Sequence, residues 1–191
     1  MSQQGQASAM TLAERARVGY QLAQGEGEMF WLLGMHQTIK VGGSDTAGQF
    51  GMIEIIVPMG LGSPWHVHPD EDEWFYVLDG EVTFYVGDTR LALTPGSFAF
   101  GPKGVPHTFI GASSEPARAL VGLQPVMFEG FLREVGQPVS EHVLPPPLNQ
   151  QGDANGRPVT DGRQLPREQL AAIGKRHGLV ILGPPGPPPG R

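Results

Sequence analysis

No cysteine occurs in the 191 residues. That excludes both a disulfide framework and a thiolate metal site, so any bound metal has to be held by nitrogen and oxygen. Cations are scarce in the centre of the chain. From residue 48 to residue 125, Arg90, Lys103 and Arg118 stand against nine acidic residues, so this stretch alone accounts for the formal charge of −6. It lacks the basic footprint that nucleic acid requires and suits phosphorylated sugars poorly. No apolar run approaches the length of a membrane span. The first ten residues, polar and rich in Gln and Ser, have neither the basic start nor the apolar centre of a signal peptide, which leads us to expect a cytoplasmic address.

Glycine and proline are abundant instead, at 28 and 19 residues. Their dispersal through the first 125 residues predicts many short elements joined by tight turns, hence an all-β domain. Strands rich in β-branched and aromatic residues are expected at 29–33, 38–41, 50–57, 65–68, 73–78, 81–86, 90–93, 97–100, 106–110 and 117–123. Asp79-Gly80 carries a hairpin signal between two of them. Residues 11–18 suit a short helix. Beyond Pro125, Met127, Phe128, Phe131, Leu132 and Val135 fall on helical spacing and Gly136 follows as a stop. A Pro-rich arm is expected over 137–165, with Pro145 to Pro147 extended. A second helix is expected over 166–177, a short strand over 179–182, and a Pro-rich tail over 184–191. The organisation expected is an N-terminal extension (1–28), a barrel (29–125) and C-terminal helices, arm and tail (126–191).

Two Gly/Pro-punctuated stretches carry chemistry. In the first, His66 and His68 stand at i and i+2, which on a strand point to one face, and the turn at Pro69-Asp70 lets the next strand deliver Glu73 to the same face. In the second, His107 follows Gly96, Pro102 and Gly104. Three neutral imidazoles and one carboxylate form a good site for one divalent transition metal (Fe, Mn, Ni, Co, Cu or Zn) and leave coordination positions open. His36, His142 and His177 have no partner at ligand spacing and read as structural or surface residues. Asp70, Glu71 and Asp72 read as a solvated turn beside the site.

These stretches resemble the two motifs of the cupin superfamily. Gly60, His66, His68, Glu73 and Gly80 fit the first motif; Gly96, Pro102, Gly104 and His107 fit the second. Gly111 departs from it, standing where the second motif ends in Asn. The resemblance covers about residues 50 to 125 and implies a double-stranded β-helix, or jelly-roll, barrel with a metal inside.

If Glu73 points inward, so do Phe75 and Val77, and His107 carries Phe109 with it. Met52, Phe84, Phe98 and Phe100 are further candidates for an apolar pocket, one suited to a planar or weakly acidic organic substrate. A lone barrel with C-terminal helices is similar to the bacterial quercetin (flavonol) dioxygenase-like cupins. That similarity implies an oxidoreductase that uses dioxygen, with Glu73 as both ligand and base. The alternatives are a metal-dependent isomerase or lyase acting on a small keto or hydroxy acid, and a non-catalytic ligand-binding cupin. The outward residues Trp74, Tyr76 and Leu78 are as apolar as their inward neighbours, so a homodimer is expected unless other segments cover them.

Overall fold

The computed structural model describes residues 19–146 and 165–188. In chain order the elements are β1 (Glu28–Leu32), β2 (Met35–Val41), α1 (Gly43–Thr46), β3 (Gly51–Val57), β4 (Trp65–Val67), β5 (Asp72–Asp79), β6 (Val82–Val86), β7 (Thr89–Leu93), β8 (Phe98–Gly101), β9 (His107–Gly111), β10 (Ala117–Gln124), α2 (Phe128–Val135), β11 (Gln137–Val139), α3 (Arg167–Arg176) and β12 (Val180–Gly183). The fold is the jelly roll expected from the sequence. One sheet runs β11-β1-β2-β3-β10-β5-β8, the other β12-β4-β9-β6-β7, and all their strand pairs are antiparallel.

The period of two fixes which side chains fill the space between the sheets. Ile53, Ile55 and Val57 of β3 are buried, as are Phe75 and Val77 of β5, Val121 and Leu123 of β10, and Val82 and Phe84 of β6. Phe75 is the hub, with ring centroids 4.8 Å from Phe84 and 5.2 Å from Phe109. Each such fully buried side chain contributes about 1.5–3 kcal/mol relative to exposure.

Several expectations are corrected. Asp79-Gly80 is not a hairpin: β5 pairs with β10 and β8, and β6 with β7 and β9. The turn instead carries the chain from one sheet to the other, and Gly80 (φ 68°) is needed because an added Cβ would lie 2.7 Å from Ala117 Cα. A two-residue hairpin sits at Gly87-Asp88, joining Val86 to its partner Thr89. The expected arm begins in the sheet, because Gln137–Val139 pairs with β1 as an edge strand, where Pro138 removes no interior ladder bond. Within the expected tail, the Trp65 indole N–H donates to Gly186 O at 2.9 Å. The expected helix at 11–18 lies outside the described residues, as do Pro147 and most of the remaining arm.

Candidate metal centre

The two sheets deliver the ligands from opposite sides. His66 lies on β4, directly across from His107 on β9, and His68 follows immediately after β4. Glu73 comes from β5 in the larger sheet, between Gly101 and Leu123 on its neighbours. All four residues are buried, and one nitrogen or oxygen from each lies within 4.8 Å of the others. Two ligands each about 2.1 Å from a common ion stand at most about 4.2 Å apart, so small side-chain adjustments close this set on a metal.

The hydrogen bonds suit that chemistry. Nδ1 of His66 faces Pro64 O at 2.8 Å and Nδ1 of His107 faces Val105 O at 2.9 Å. A proton on each Nδ1 leaves each Nε2 free to bind a metal. Glu73 Oε2 is 2.7 Å from His107 Nε2 and 3.8 Å from His66 Nε2. His68 Nε2 is buried with no hydrogen-bond partner among the described residues, a deficit a metal would remove. Burial, followed by the neighbouring His107, pushes His66 down to about 4 and so keeps it neutral, as a ligand must be. Burial alone would raise Glu73, but His107 and His66 beside it hold its carboxyl well below the usual carboxylate range.

The acidic turn is not uniformly solvated. Asp70 is exposed and Asp72 half-buried, with Asp72 Oδ1 accepting from the Lys103 amide at 2.8 Å. Glu71, however, is fully buried. One of its oxygens accepts from the backbone N–H groups of Met127 and of Phe128 (3.1 Å), and the other stands 3.0 Å from His68 Nδ1. Burial lowers the pKa of His68, but Glu71, Glu73 and the Gly178 backbone together outweigh that and raise it.

Glu73 and His66 open onto a cavity otherwise walled largely by apolar side chains, including Ile53, Ile55, Val121, Phe128 and Phe131. Its volume is about 50 Å³, room for roughly four waters. Leu170 of α3 with Leu179 and Ile181 covers one side. Leu33, Pro64, Leu170 and Ile181 also line a wider surface depression, which marks the mouth.

Of the expected pocket residues, Phe109 lines the cavity. Phe75, Val77 and Phe84 are buried beneath it in the core, with Phe84 5.7 Å from the His107 ring. Met52 lies on the face of β3 opposite Ile53 and Ile55. Phe98 and Phe100 point outward, 60% and 47% exposed, because Ala99 and Gly101 are the buried residues of β8. Gln37, a buried amide that carries no signal in the sequence, also lines the cavity.

Residues 52–122 match the family described as "Cupin domain". The chain is 30% identical over 128 residues to quercetin 2,3-dioxygenase of Bacillus subtilis (strain 168), covering 67% of this chain and 38% of that one. It is 36% identical over 70 residues to dimethylsulfoniopropionate lyase DddQ of Ruegeria pomeroyi, covering 36% and 34%. The chain thus spans little more than a third of the length of either curated relative. An RmlC-like cupin from Shewanella frigidimarina NCIMB 400 superposes with a TM-score of 0.50 at 17% identity, covering 59% of this chain and 95% of that one. What that likeness shows is the fold.

Proposed function

We propose, for a chain that belongs to the cupin superfamily, that His66, His68, Glu73 and His107 hold one divalent transition-metal ion, and that the loaded protein is a dioxygenase acting on a phenolic or enolic substrate. The observation that carries this reading is a three-His, one-carboxylate set opening onto a largely apolar, covered cavity. The likeness to a quercetin 2,3-dioxygenase supports the reaction class.

A divalent ion in the site would lower the pKa of a substrate hydroxyl presented to it. The chain supplies the rest. Glu73 is the one carboxylate among the cavity-lining residues, and we assign it the proton leaving that hydroxyl. The Gln37 amide accepts or donates a hydrogen bond to a second polar group of the substrate, and the Leu170, Leu179 and Ile181 cover excludes water. At about 50 Å³ the cavity is smaller than the roughly 150 Å³ that admits a benzene ring, so a ring-sized substrate, and a flavonol above all, has to displace the cover.

The test is metal analysis of protein purified without a histidine tag, followed by oxygen-electrode assays against catechols and flavonols. About one metal per chain and oxygen uptake matched to product are expected. In the Glu73→Gln variant, reloaded to equal metal content, turnover should fall by about 10². A variant as fast as wild type would refute the base assignment.

A second reading, a metal-dependent lyase acting on a small acid, is favoured by the small cavity and by the likeness to a dimethylsulfoniopropionate lyase. Product formation without oxygen uptake would select it. We also propose a homodimer. Tyr76, Phe98 and Phe100 stand exposed on the outer face of β5 and β8, and Trp74 stacks on Phe98 beside them.

A further inference from the structure

We propose that Glu71 is a positioning residue: it holds the His68 imidazole in the form that presents Nε2 to the metal and ties this ligand to the start of α2, the helix that forms part of the cavity wall. The proposal rests on the metal reading above.

The three imidazoles are not held alike. His66 and His107 each turn Nδ1 to a backbone carbonyl two residues back. His68 turns Nδ1 to a buried carboxylate oxygen, Glu71 Oε1, at 3.0 Å. That contact has the distance of a hydrogen bond without its alignment, so among the described residues Nδ1, Oε1 and Nε2 have no well-aligned hydrogen-bond partner, although the Gly178 backbone also lies beside the ring. A metal on Nε2 would give that atom its partner and leave the ring proton on Nδ1, 3.0 Å from Glu71 Oε1. A neutral imidazole that binds metal through Nε2 carries its proton on Nδ1, and Glu71 Oε1 is the acceptor beside it.

Glu71 Oε2 is committed elsewhere, accepting from the backbone N–H groups of Met127 and Phe128. These donors open α2, whose Phe128 and Phe131 line the cavity, and the Phe128 ring lies edge-on to His68 with centroids 6.1 Å apart. The carboxylate therefore has a donor on each side and needs an acceptor atom for each. A glutamine of the same shape has one acceptor oxygen, so its NH₂ must face either the His68 Nδ1–H or the two backbone N–H groups. The substitution removes one side of the bridge while preserving volume.

The experiment measures binding of Zn(II) alone, by competition with a chromophoric chelator, in wild type and in Glu71→Gln, with circular dichroism of both metal-free proteins as the folding control. The variant is expected to bind Zn(II) about 10–100-fold more weakly. Independently of any variant, ¹⁵N–¹H spectra of Zn(II)-loaded wild type are expected to show a slowly exchanging His68 Nδ1–H, shifted further downfield than those of His66 and His107 because its acceptor is a carboxylate. Equal affinities in two folded proteins would overturn the proposal. If Glu71→Gln does not fold, the spectrum decides, and a His68 metallated at Nδ1, or lacking that proton signal, overturns it. Failure of wild type itself to bind Zn(II) would remove the metal reading and this proposal together, whereas binding by wild type that is weakened in Glu71→Gln supports both, and equal or tighter binding by the variant leaves the metal reading and overturns this proposal.

Discussion

Gly111 stands where the second motif ends in Asn, and the structure shows what a side chain would meet there. The backbone of Gly111 is pinned on both sides: its N–H donates to Leu61 O and its carbonyl accepts from the Gly60 N–H, each at 2.9 Å. A Cβ at this position would lie 2.5 Å from Pro58 O and 2.9 Å from Val57 O. Both are backbone atoms that cannot swing aside. The φ of Gly111 is not in the left-handed region, so the penalty of Gly111→Asn is crowding alone, about 1–3 kcal/mol. Loss of glycine's freedom in the unfolded chain offsets up to about 1 kcal/mol of that. A net loss of about 1–2 kcal/mol lowers Tm by about 2–8 °C in a chain of this size. Differential scanning calorimetry measures it, with Gly183→Ala as the control, since nothing lies within 4 Å of a Cβ added there. Zn(II) affinity should be unchanged, because His107 sits four residues away on an intact strand. A Gly111→Asn protein as stable as wild type would refute the crowding account.

Other outcomes follow from the same geometry. Gln37→Leu should raise KM about fivefold for a substrate with two polar groups, the worth of roughly one hydrogen bond, and leave kcat and metal affinity near wild type; an unchanged KM would mean that the amide does not touch substrate. His36 is pushed down to about 4 by burial and then by His142, with Glu54 and Lys40 also acting on it and Thr38 Oγ1 3.4 Å from its Nδ1. The unfolded chain, with its histidine near 6.5, therefore takes up the proton first as pH falls. The stabilisation from neutral His36 is complete above about 6.5 and is lost on the way down to about 4, at most on the order of 3 kcal/mol. Urea melts of wild type and His36→Gln should diverge over that window, and parallel curves would contradict the assignment. Phe98→Glu should halve the mass seen by light scattering, and a wild type that is already monomeric across a wide concentration range would end the dimer proposal.

Much of this was legible because it depends on local period. His66, Glu73 and Phe75 announce their faces by alternation, and the ligand spacing survives any uncertainty about the ends of the strands. What was not legible depends on distant partners. Asp70, Glu71 and Asp72 look alike in the sequence, and Glu71 is singled out by backbone donors 56 and 57 residues away. Asp79-Gly80 has the chemistry of a hairpin, but which sheet receives the following strand is decided by β9 and β10. Phe98 and Phe100 are apolar enough for a core, yet β8 is a sheet edge whose small residues face in. Gln37 gives no signal in the sequence, since its environment exists only once β1, β2 and the C-terminal cover surround it.

The pairing of β12 with β4 places Ile181 opposite His66. During synthesis, the strand carrying this histidine leaves the ribosome more than a hundred residues before the segment that flanks it. At about 5–20 residues per second the gap is roughly 6–23 s. His107, the last of the four residues, is made 74 residues before Ile181, roughly 4–15 s at that rate, so all four are present while β4 still has an open edge and the cavity no cover. If the four residues hold a metal, the order of synthesis lets them meet it before the cavity that would shelter a substrate exists.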